Sequence, residues 1–243
     1  MANRPIGIFD SGVGGFTVLK KLIKILPNER FIYFADSARN PYGNKNTKLL
    51  FKFAVEIIEF LILKKVKLIV IACNTICATC FDELKIMFKI PLISVLEAGV
   101  YATIRSNGKK IGIIATENTI NSKTYENKIL KLNSKLIVKS KACPRLVELI
   151  ENNVYDNEIS FEILKSYLKY FNNDIDVLLL GCTHYPYFIS QIKNLLLDKI
   201  KIIDPSFQTA FFTKKILKNK KILSRFDKIN KIQKKIIFYK NCS

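Results

Sequence analysis

Short apolar runs alternate with longer amphipathic stretches along almost the whole chain of 243 residues, and this alternation limits the fold more than any other feature. In the amphipathic segment 47–64, apolar residues recur at spacings of three and four, and Asn46 or Thr47 is placed to cap the helix. Strands that alternate with helices in this way form parallel sheets. We therefore predict an α/β fold with mostly parallel, doubly wound sheets, whose strands cover residues 6–9, 31–35, 68–72, 92–95, 111–115, 136–139, 177–181 and 201–203.

The two halves of the chain resemble each other. The sequence Ile-Gly-Ile-Phe-Asp at 6–10 is echoed by Ile-Gly-Ile-Ile-Ala at 111–115. Likewise, Ala-Cys-Asn-Thr at 72–75 is echoed by Gly-Cys-Thr-His at 181–184. Each half thus places one cysteine directly after a predicted strand.

This repeat predicts two similar, pseudo-symmetric domains. We expect one domain to contain residues 1–97 together with residues 208–243, and the other to contain residues 98–207. Open α/β sheets bind their ligands outside the carboxyl ends of the strands. The active site is therefore expected in the cleft between the domains.

The chain is strongly basic, with 40 Lys and Arg against 20 Asp and Glu and a formal net charge of +20. Half of that excess lies between Lys214 and Lys240, where eleven cations accompany a single acid, Asp227. Such a segment is typical of nucleic-acid binding, but it holds mostly lysine, whereas readers of the DNA grooves favour arginine. We interpret it as a solvated surface and expect no nucleic-acid partner. A basic nucleic-acid-binding protein is the alternative, and steep salt dependence of binding would support it.

No apolar run approaches the roughly 20 residues that a membrane-spanning helix needs. Asp10 also interrupts the amino-terminal segment before the apolar region of an export signal could form. We therefore expect a cytoplasmic protein without a membrane partner. In that compartment its six cysteines are expected to be reduced thiols, at positions Cys73, Cys77, Cys80, Cys143, Cys182 and Cys242.

Two of these cysteines are candidates for chemistry. Cys73 follows a predicted buried strand and precedes Asn74 and Thr75, small polar residues that suit the start of a helix. A thiol at a helix start is expected to have a lowered pKa, because the helix dipole favours the thiolate. Cys182 has the same setting, and it precedes Thr183 and the only histidine of the chain, His184, which could activate or protonate it.

Two further loops follow predicted strands at the same edge of the first sheet. The loop from Asp10 to Gly15 reads Asp-Ser-Gly-Val-Gly-Gly and fits neither the P-loop nor the dinucleotide-binding pattern. Its glycines expose backbone N–H groups that can cradle a carboxylate, with Asp10 among them as base, orienter or amine partner. In the loop 36–43, the residues placed to contact a ligand are Ser37, Tyr42 and Gly43.

Two thiols facing one cleft from opposite sides suit a reaction that inverts a stereocentre. One thiolate removes the α-proton of an amino acid while the opposite thiol delivers a proton to the other face. Because an α-hydrogen beside a carboxylate is a very weak acid, the site must stabilise developing negative charge and exclude water. Asp10 near Cys73 and His184 near Cys182 would tune the two sulfur atoms. This chemistry requires no cofactor and no metal.

Four motifs together resemble those of the glutamate racemase family. They are Phe-Asp-Ser-Gly-Val-Gly-Gly-Phe-Thr-Val at 9–18, Ala-Asp-Ser-Ala-Arg-Asn-Pro-Tyr-Gly at 35–43, Ala-Cys-Asn-Thr at 72–75 and Gly-Cys-Thr-His-Tyr-Pro at 181–186. The family racemises glutamate without a cofactor and supplies D-glutamate for bacterial peptidoglycan. The resemblance extends from residue 4 to about residue 208, and it makes L- or D-glutamate the expected small-molecule partner. A homodimer is the assembly that we consider.

The resemblance also implies roles for individual residues. Cys73 and Cys182 are the implied catalytic pair, assisted by Asp10 and His184. Glu151 is implied as the carboxylate partner of His184, although Glu148, three residues earlier, is an alternative. Substrate contacts are implied for Asp10, Ser11, Tyr42, Gly43, Asn74, Thr75, Thr183 and His184.

Two other enzymatic interpretations remain. The spacing of Cys73, Cys77 and Cys80 matches the iron–sulfur motif of radical enzymes, but it also places Cys77 and Cys80 on one helix face as small core residues. An aspartate racemase would use the same proton-transfer chemistry and would differ only in the length of its pocket.

Overall fold

The fold consists of two sheets of parallel strands surrounded by helices, in a computed structural model that describes residues 2–172, 174–224 and 236–241. Part of the basic segment, from Arg225 to Lys235, lies outside the described residues, as does Cys242. The predicted α/β class is confirmed. Among the described helices, none is both long enough and apolar enough to cross a membrane.

The first sheet has five strands in the order β4-β3-β1-β2-β9, and every pair of neighbours is parallel. Its strands are rich in Ile, Leu, Val and Phe, and both β1 and β3 are buried along their whole length, as expected for parallel strands covered on both faces. The strands are β1 (Ile6–Asp10), β2 (Phe31–Ala35), β3 (Leu68–Ile71), β4 (Leu92–Ser94) and β9 (Ile236–Lys240).

The second sheet has four parallel strands in the order β6-β5-β7-β8. Its central strands β5 and β7 are almost entirely buried, whereas the edge strand β6 carries two lysines and is partly exposed. The strands are β5 (Lys110–Ala115), β6 (Ile137–Ala142), β7 (Val177–Gly181) and β8 (Lys201–Ile203).

All eight predicted strands are present, with small differences at their ends. The largest difference is in β6, predicted at 136–139 and observed at Ile137–Ala142. The ninth strand, β9, was not predicted, because its apolar residues lie within the lysine-rich segment that we interpreted as a solvated surface. In the structure β9 pairs with β2, so Phe31 lies opposite Ile236 at the edge of the first sheet.

Eleven α-helices of the described residues flank the sheets. The predicted helix at 47–64 is observed as α2, and Asn46 rather than Thr47 caps it, accepting a hydrogen bond from the Lys48 N–H at 2.8 Å. The helices are α1 (Phe16–Ile25), α2 (Thr47–Leu63), α3 (Asn74–Thr79), α4 (Phe81–Met87), α5 (Val95–Ile104), α6 (Glu117–Asn121), α7 (Thr124–Leu132), α8 (Arg145–Glu151), α9 (Glu158–Leu168), α10 (Ile189–Leu195) and α11 (Pro205–Asn219). Short 3₁₀ helices cover Ser37–Arg39, Lys169–Phe171 and Tyr185–Phe188.

The chain passes between the sheets twice. Helix α5 follows β4 of the first sheet and leads to β5 of the second, and α11 leaves β8 and packs against both α1 and α5. Asp204 caps α11 by accepting a hydrogen bond from the Ser206 N–H at 2.9 Å. The domain boundaries at residues 97 and 207 remain predictions.

Candidate active site

The strand registers bring the candidate residues to the carboxyl ends of both sheets. In the first sheet Phe9 lies opposite Ile71, so Asp10, the last residue of β1, and Cys73, two residues after β3, lie at neighbouring strand ends. In the second sheet Ala115 lies opposite Gly181, so Cys182 emerges beside the residue that follows β5. A cavity lies between these ends, and segments of both halves of the chain line it. Its lining residues are Ser11, Asn40, Tyr42, Gly43, Cys73, Asn74, Thr75, Thr116, Val147, Cys182, Thr183 and His184.

Cys73 is the N-cap residue of α3 and is only 4% exposed. Burial raises the pKa of the Cys73 thiol well above its ordinary value, and the negative charge of Asp10 adds to this effect. The expected lowering of the pKa by the helix start is therefore wrong for Cys73. Helix α3 has six residues, and the N–H of Ile76 opposes the rise only in part, because the loss of hydration is the larger effect.

Cys182 has a different setting from Cys73, contrary to the expectation of equivalent positions. A 3₁₀ helix starts only at Tyr185, three residues later, with His184 as its N-cap residue. The Sγ atom of Cys182 lies 3.6 Å from Nδ1 of His184. On the other side of the imidazole ring, Nε2 lies 2.6 Å from Oε1 of Glu151. Cys182, His184 and Glu151 thus form a continuous chain of hydrogen-bonding groups.

His184 is buried between these two partners. Burial alone would lower the pKa of His184, but the hydrogen bonds with Cys182 and Glu151 outweigh it and raise the pKa to about 10. A protonated imidazole at neutral pH can donate from both ring nitrogens. His184 is therefore able to stabilise negative charge on the Cys182 sulfur or to give it a proton.

Glu151, rather than Glu148, is the acidic residue in contact with His184. Glu148 lies on the exposed side of α8. Burial tends to raise the pKa of Glu151, but hydrogen bonds from His184, from the Val13 N–H at 3.0 Å and from the Asn40 side chain lower it overall. A carboxylate held ionised in this way is suited to orient the imidazole.

Asp10 is fully buried and is not among the residues that line the cavity. Burial raises the pKa of Asp10, and the charge of Glu151 adds to the rise, while His184 and the N–H of Gly15 oppose it. The carboxylate accepts a hydrogen bond from the Gly15 N–H at 2.8 Å and contacts the Thr183 hydroxyl at 3.3 Å through both oxygens. Asp10 therefore links the first sheet to a residue that directly follows Cys182.

The glycine-rich loop holds protein carboxylates. The N–H of Gly15 binds Asp10 and the N–H of Val13 binds Glu151, so these two donors of the predicted cradle are already used. The loop also approaches the second sheet very closely. A Cβ atom on Gly14 would lie 2.5 Å from Nδ1 of His184, which explains why a residue without a side chain is needed at this position.

The predicted substrate-contacting residues other than Asp10 all line the cavity. Thr75 Oγ1 lies 3.0 Å from the hydroxyl of Thr116 across the two sheets, and the Asn74 Oδ1 accepts a hydrogen bond from Tyr125 at 2.7 Å. These contacts leave the amide N–H₂ group of Asn74 as a donor for a ligand. Ser37, also predicted to contact a ligand, does not line the cavity.

Tyr42 is held by a cluster around the buried carboxylate of Asp36. Its hydroxyl donates to Asp36, which also accepts a hydrogen bond from Arg39 at 2.8 Å and one from the side chain of Asn241. Oδ1 of Asn241 in turn accepts from the Ala38 N–H at 3.1 Å. The residue directly after β9 thus fixes the loop that forms one wall of the cavity.

Three lining residues were not predicted from the sequence: Asn40, Thr116 and Val147. The internal repeat could have found Thr116, because it follows the second Ile-Gly-Ile sequence at the position that Ser11 occupies after the first. Asn40 precedes Pro41, and an Asn-Pro pair is typical of a turn rather than of a ligand contact. Val147 is an apolar residue of α8 and carries no signal that separates it from a core residue.

The cysteines of the proposed iron–sulfur motif do not converge. Cys77 donates to the backbone oxygen of Ile71 at 3.4 Å, and Cys80 contacts the backbone oxygen of Thr47 at 3.8 Å. Among the residues that the structure describes, no group of three or more His, Cys, Asp or Glu side chains could hold a metal ion. The arrangement of Cys77 and Cys80 is that of small, hydrogen-bonded core residues.

Comparison with known proteins identifies the family. A sequence model of the Asp/Glu/hydantoin racemase family matches residues 26–207. The chain belongs to this family. Glutamate racemase 2 of Caldanaerobacter subterraneus subsp. tengcongensis is 44% identical to it, over 96% of this chain and 88% of the relative.

Solved structures give the same result. The crystal structure of glutamate racemase from Francisella tularensis in complex with D-glutamate has a TM-score of 0.90 and 42% identity, covering 99% of this chain and 89% of that chain. A glutamate racemase isoform from Bacillus anthracis has a TM-score of 0.92 and 37% identity, covering 100% of this chain and 90% of that chain. These similarities confirm both the fold class and the resemblance found in the motifs.

Proposed function

We propose that the chain is an isomerase that interconverts L- and D-glutamate without a cofactor, with Cys73 and Cys182 as the two proton-transfer groups. The observation that carries the proposal is that two cysteines from the carboxyl ends of strands in two different sheets line one cavity. The names of the relatives at 37–44% identity support glutamate as the substrate.

In one direction, one cysteine thiolate removes the α-proton of glutamate, and the thiol of the other cysteine delivers its proton to the opposite face of the α-carbon. The enzyme then holds the proton on the first cysteine and the negative charge on the second, so the reverse reaction can follow directly. Each such step gains from acid–base catalysis typically by factors of about 10² to 10⁴. The reaction is not a redox step, and substrate and product have the same number of hydrogen atoms.

Different neighbouring groups influence the charge on the two cysteines. Protonated His184, 3.6 Å from Cys182 Sγ, stabilises the thiolate that remains there after Cys182 has delivered its proton to the substrate. Cys73 lies in the field of the Asp10 carboxylate, which favours the neutral thiol. Cys73 is therefore favoured as the neutral thiol, whereas Cys182 has a cationic imidazole as its neighbour.

The substrate is bound by uncharged donors of the wall. Hydroxyl groups of Ser11, Thr75, Thr116 and Thr183 and the amide of Asn74 are the lining donors. Donors fixed in a cavity with little water stabilise the negative charge that develops when the α-proton leaves. We further propose that the reaction takes place in the cytoplasm and supplies D-glutamate for peptidoglycan. The proposed assembly is a homodimer, and analytical ultracentrifugation tests this oligomeric state.

The decisive experiment is to incubate the purified protein with D-glutamate in deuterium oxide. We expect optical rotation to disappear while deuterium enters the α-carbon. The same protein given D-aspartate should racemise it far more slowly, and a preference for aspartate would overturn the substrate assignment. Restored growth of a bacterial strain that requires D-glutamate tests the proposed role in the cell.

Matched cysteine variants test the mechanism. Cys73→Ala and Cys182→Ala should each abolish racemisation. Cys77→Ala and Cys143→Ala are the controls, because both residues are equally buried but do not line the cavity. They should retain activity after correction for stability. Activity retained by either cavity variant would refute the two-cysteine scheme.

A further inference from the structure

Asn40 is a cavity residue whose hydrogen bonding is incomplete. It lies in the loop between the 3₁₀ helix Ser37–Arg39 and α2, and it is half buried. Its side chain donates a hydrogen bond to Glu151. Because an ionised carboxylate only accepts hydrogen bonds, the Nδ2 group must face Glu151, and this fixes the position of Oδ1 on the other side of the amide.

The Oδ1 atom of Asn40 is buried and has no hydrogen-bond partner within the described part of the chain. Leaving a buried acceptor unpaired is costly, and native proteins rarely do so without a functional reason. Gln191 carries a similar buried oxygen, while its Nε2 donates to the backbone oxygen of Tyr155 at 2.9 Å. Gln191 does not line the cavity, whereas Asn40 does.

An amide oxygen can be satisfied only by a donor. Glutamate at neutral pH has two carboxylates, which accept hydrogen bonds, and one ammonium group, which is its only donor. We propose that Oδ1 of Asn40 binds the α-ammonium group of the substrate, an inference that rests on the proposed function. Asn40 then touches the substrate through its oxygen and Glu151 through its nitrogen.

The neutral amide suits this double contact better than a carboxylate would. An aspartate at position 40 would place a second negative charge against Glu151 and would lack the donor that Glu151 accepts. The amide also connects the substrate to the imidazole, because Glu151 lies 2.6 Å from Nε2 of His184. Asn40 is thus a determinant of specificity for amino acids over dicarboxylates of the same length.

Glutarate provides the test, because it is glutamate without the ammonium group. Equilibrium dialysis measures the affinities of glutamate and glutarate for the wild-type protein, Asn40→Ala and the matched truncation Gln191→Ala. Hydrogen bonds to charged groups are worth enough to change affinity by about tenfold or more. We expect Asn40→Ala to weaken glutamate binding by about that factor, with glutarate binding changed less than about threefold. Gln191→Ala should keep the wild-type ratio of the two affinities.

The proposal would be overturned if Asn40→Ala left the ratio of the glutamate and glutarate affinities unchanged, whether both affinities fell equally or neither fell. Asn40→Leu is a second variant, which removes the polar atoms and keeps a branched side chain. The ratio of the two affinities does not depend on what fraction of a variant is folded, because both ligands are measured on one sample. The outcome is distinct from failure of the proposed function. A wild-type protein that does not racemise glutamate refutes the function, whereas racemisation with an unchanged ratio in Asn40→Ala refutes only the role of Asn40.

Discussion

The surroundings of Cys73 and Cys182 differ much more than the sequence repeat suggests. Both residues follow a central strand of a parallel sheet and line the same cavity. Cys182 is coupled to an imidazole and through it to Glu151, whereas Cys73 caps a short helix and lies in the field of Asp10. A repeated backbone can therefore place two thiols symmetrically while their chemistry is set separately by the neighbours of each.

The largest effect is expected when either cysteine is replaced. Cys73→Ala and Cys182→Ala should each reduce racemisation by at least about 10²- to 10⁴-fold, because one proton-transfer group is lost. In deuterium oxide each variant should still exchange the α-proton of one enantiomer, and the two variants should prefer opposite enantiomers. NMR of the α-hydrogen measures this. Exchange of the same enantiomer by both variants would mean that the sulfurs do not act on opposite faces.

Replacing the imidazole of His184 should slow proton transfer at Cys182 more than proton transfer at Cys73. We expect His184→Asn to lower kcat/KM by about 100-fold. The loss must be equal for L- and D-glutamate because the equilibrium constant of a racemisation is one. The primary deuterium isotope effect should rise for the enantiomer that Cys182 deprotonates. Equal isotope effects for both enantiomers would contradict an assignment of His184 to Cys182.

His184 also makes stability depend on pH in a defined direction. Its pKa is raised in the folded protein to about 10, above the unfolded value near 6.5. The stabilisation is therefore complete below about pH 6.5 and is lost as the pH rises towards 10. The wild-type protein should lose more stability than His184→Asn between these values, as measured by urea unfolding. Parallel profiles would show that His184 is not protonated in the folded state.

Glu151→Gln should have a smaller effect, lowering kcat by about tenfold. Without the carboxylate, the pKa of His184 falls, so the alkaline limit of activity should move to lower pH. Glu148→Gln, on the exposed side of the same helix, is the matched control and should keep the wild-type pH profile. A pH profile that Glu151→Gln leaves unchanged would argue for a purely structural role.

The smallest effect is expected when the contact between Thr183 and Asp10 is removed, because this contact connects the surroundings of Cys182 with those of Cys73. Thr183→Val removes the hydroxyl that contacts both oxygens of Asp10, and a loss of a few-fold in kcat/KM is expected for one neutral donor. The double variant Thr183→Val/Asp10→Asn should lose less than the product of the two single losses, because the residues share one interaction. Strict additivity would show that the two cysteine environments act independently.

The sequence was sufficient to predict the strands and the positions of both cysteines, because burial patterns and the repeat depend on local residues. It was not sufficient for the pKa of Cys73, which depends on burial by distant segments rather than on the adjacent helix start. Glu148 and Glu151 are three residues apart on one helix, so only packing distinguishes them. The hydrogen bonding of Asn40 could not be predicted from the sequence either, because its partner, Glu151, lies in the other half of the chain.

The pairing of β2 with β9 has a consequence for how the chain reaches its final shape. The edge of the first sheet is complete only when residues 236–240 have paired with residues 31–35. The hydrogen bond between Asn241 and Asp36 likewise joins residues that are 205 positions apart in the sequence. Contacts between such distant segments form slowly, and an unpaired strand edge attracts other chains meanwhile. During synthesis on the ribosome, most of the polypeptide is therefore made before the wall that carries Tyr42 can be secured.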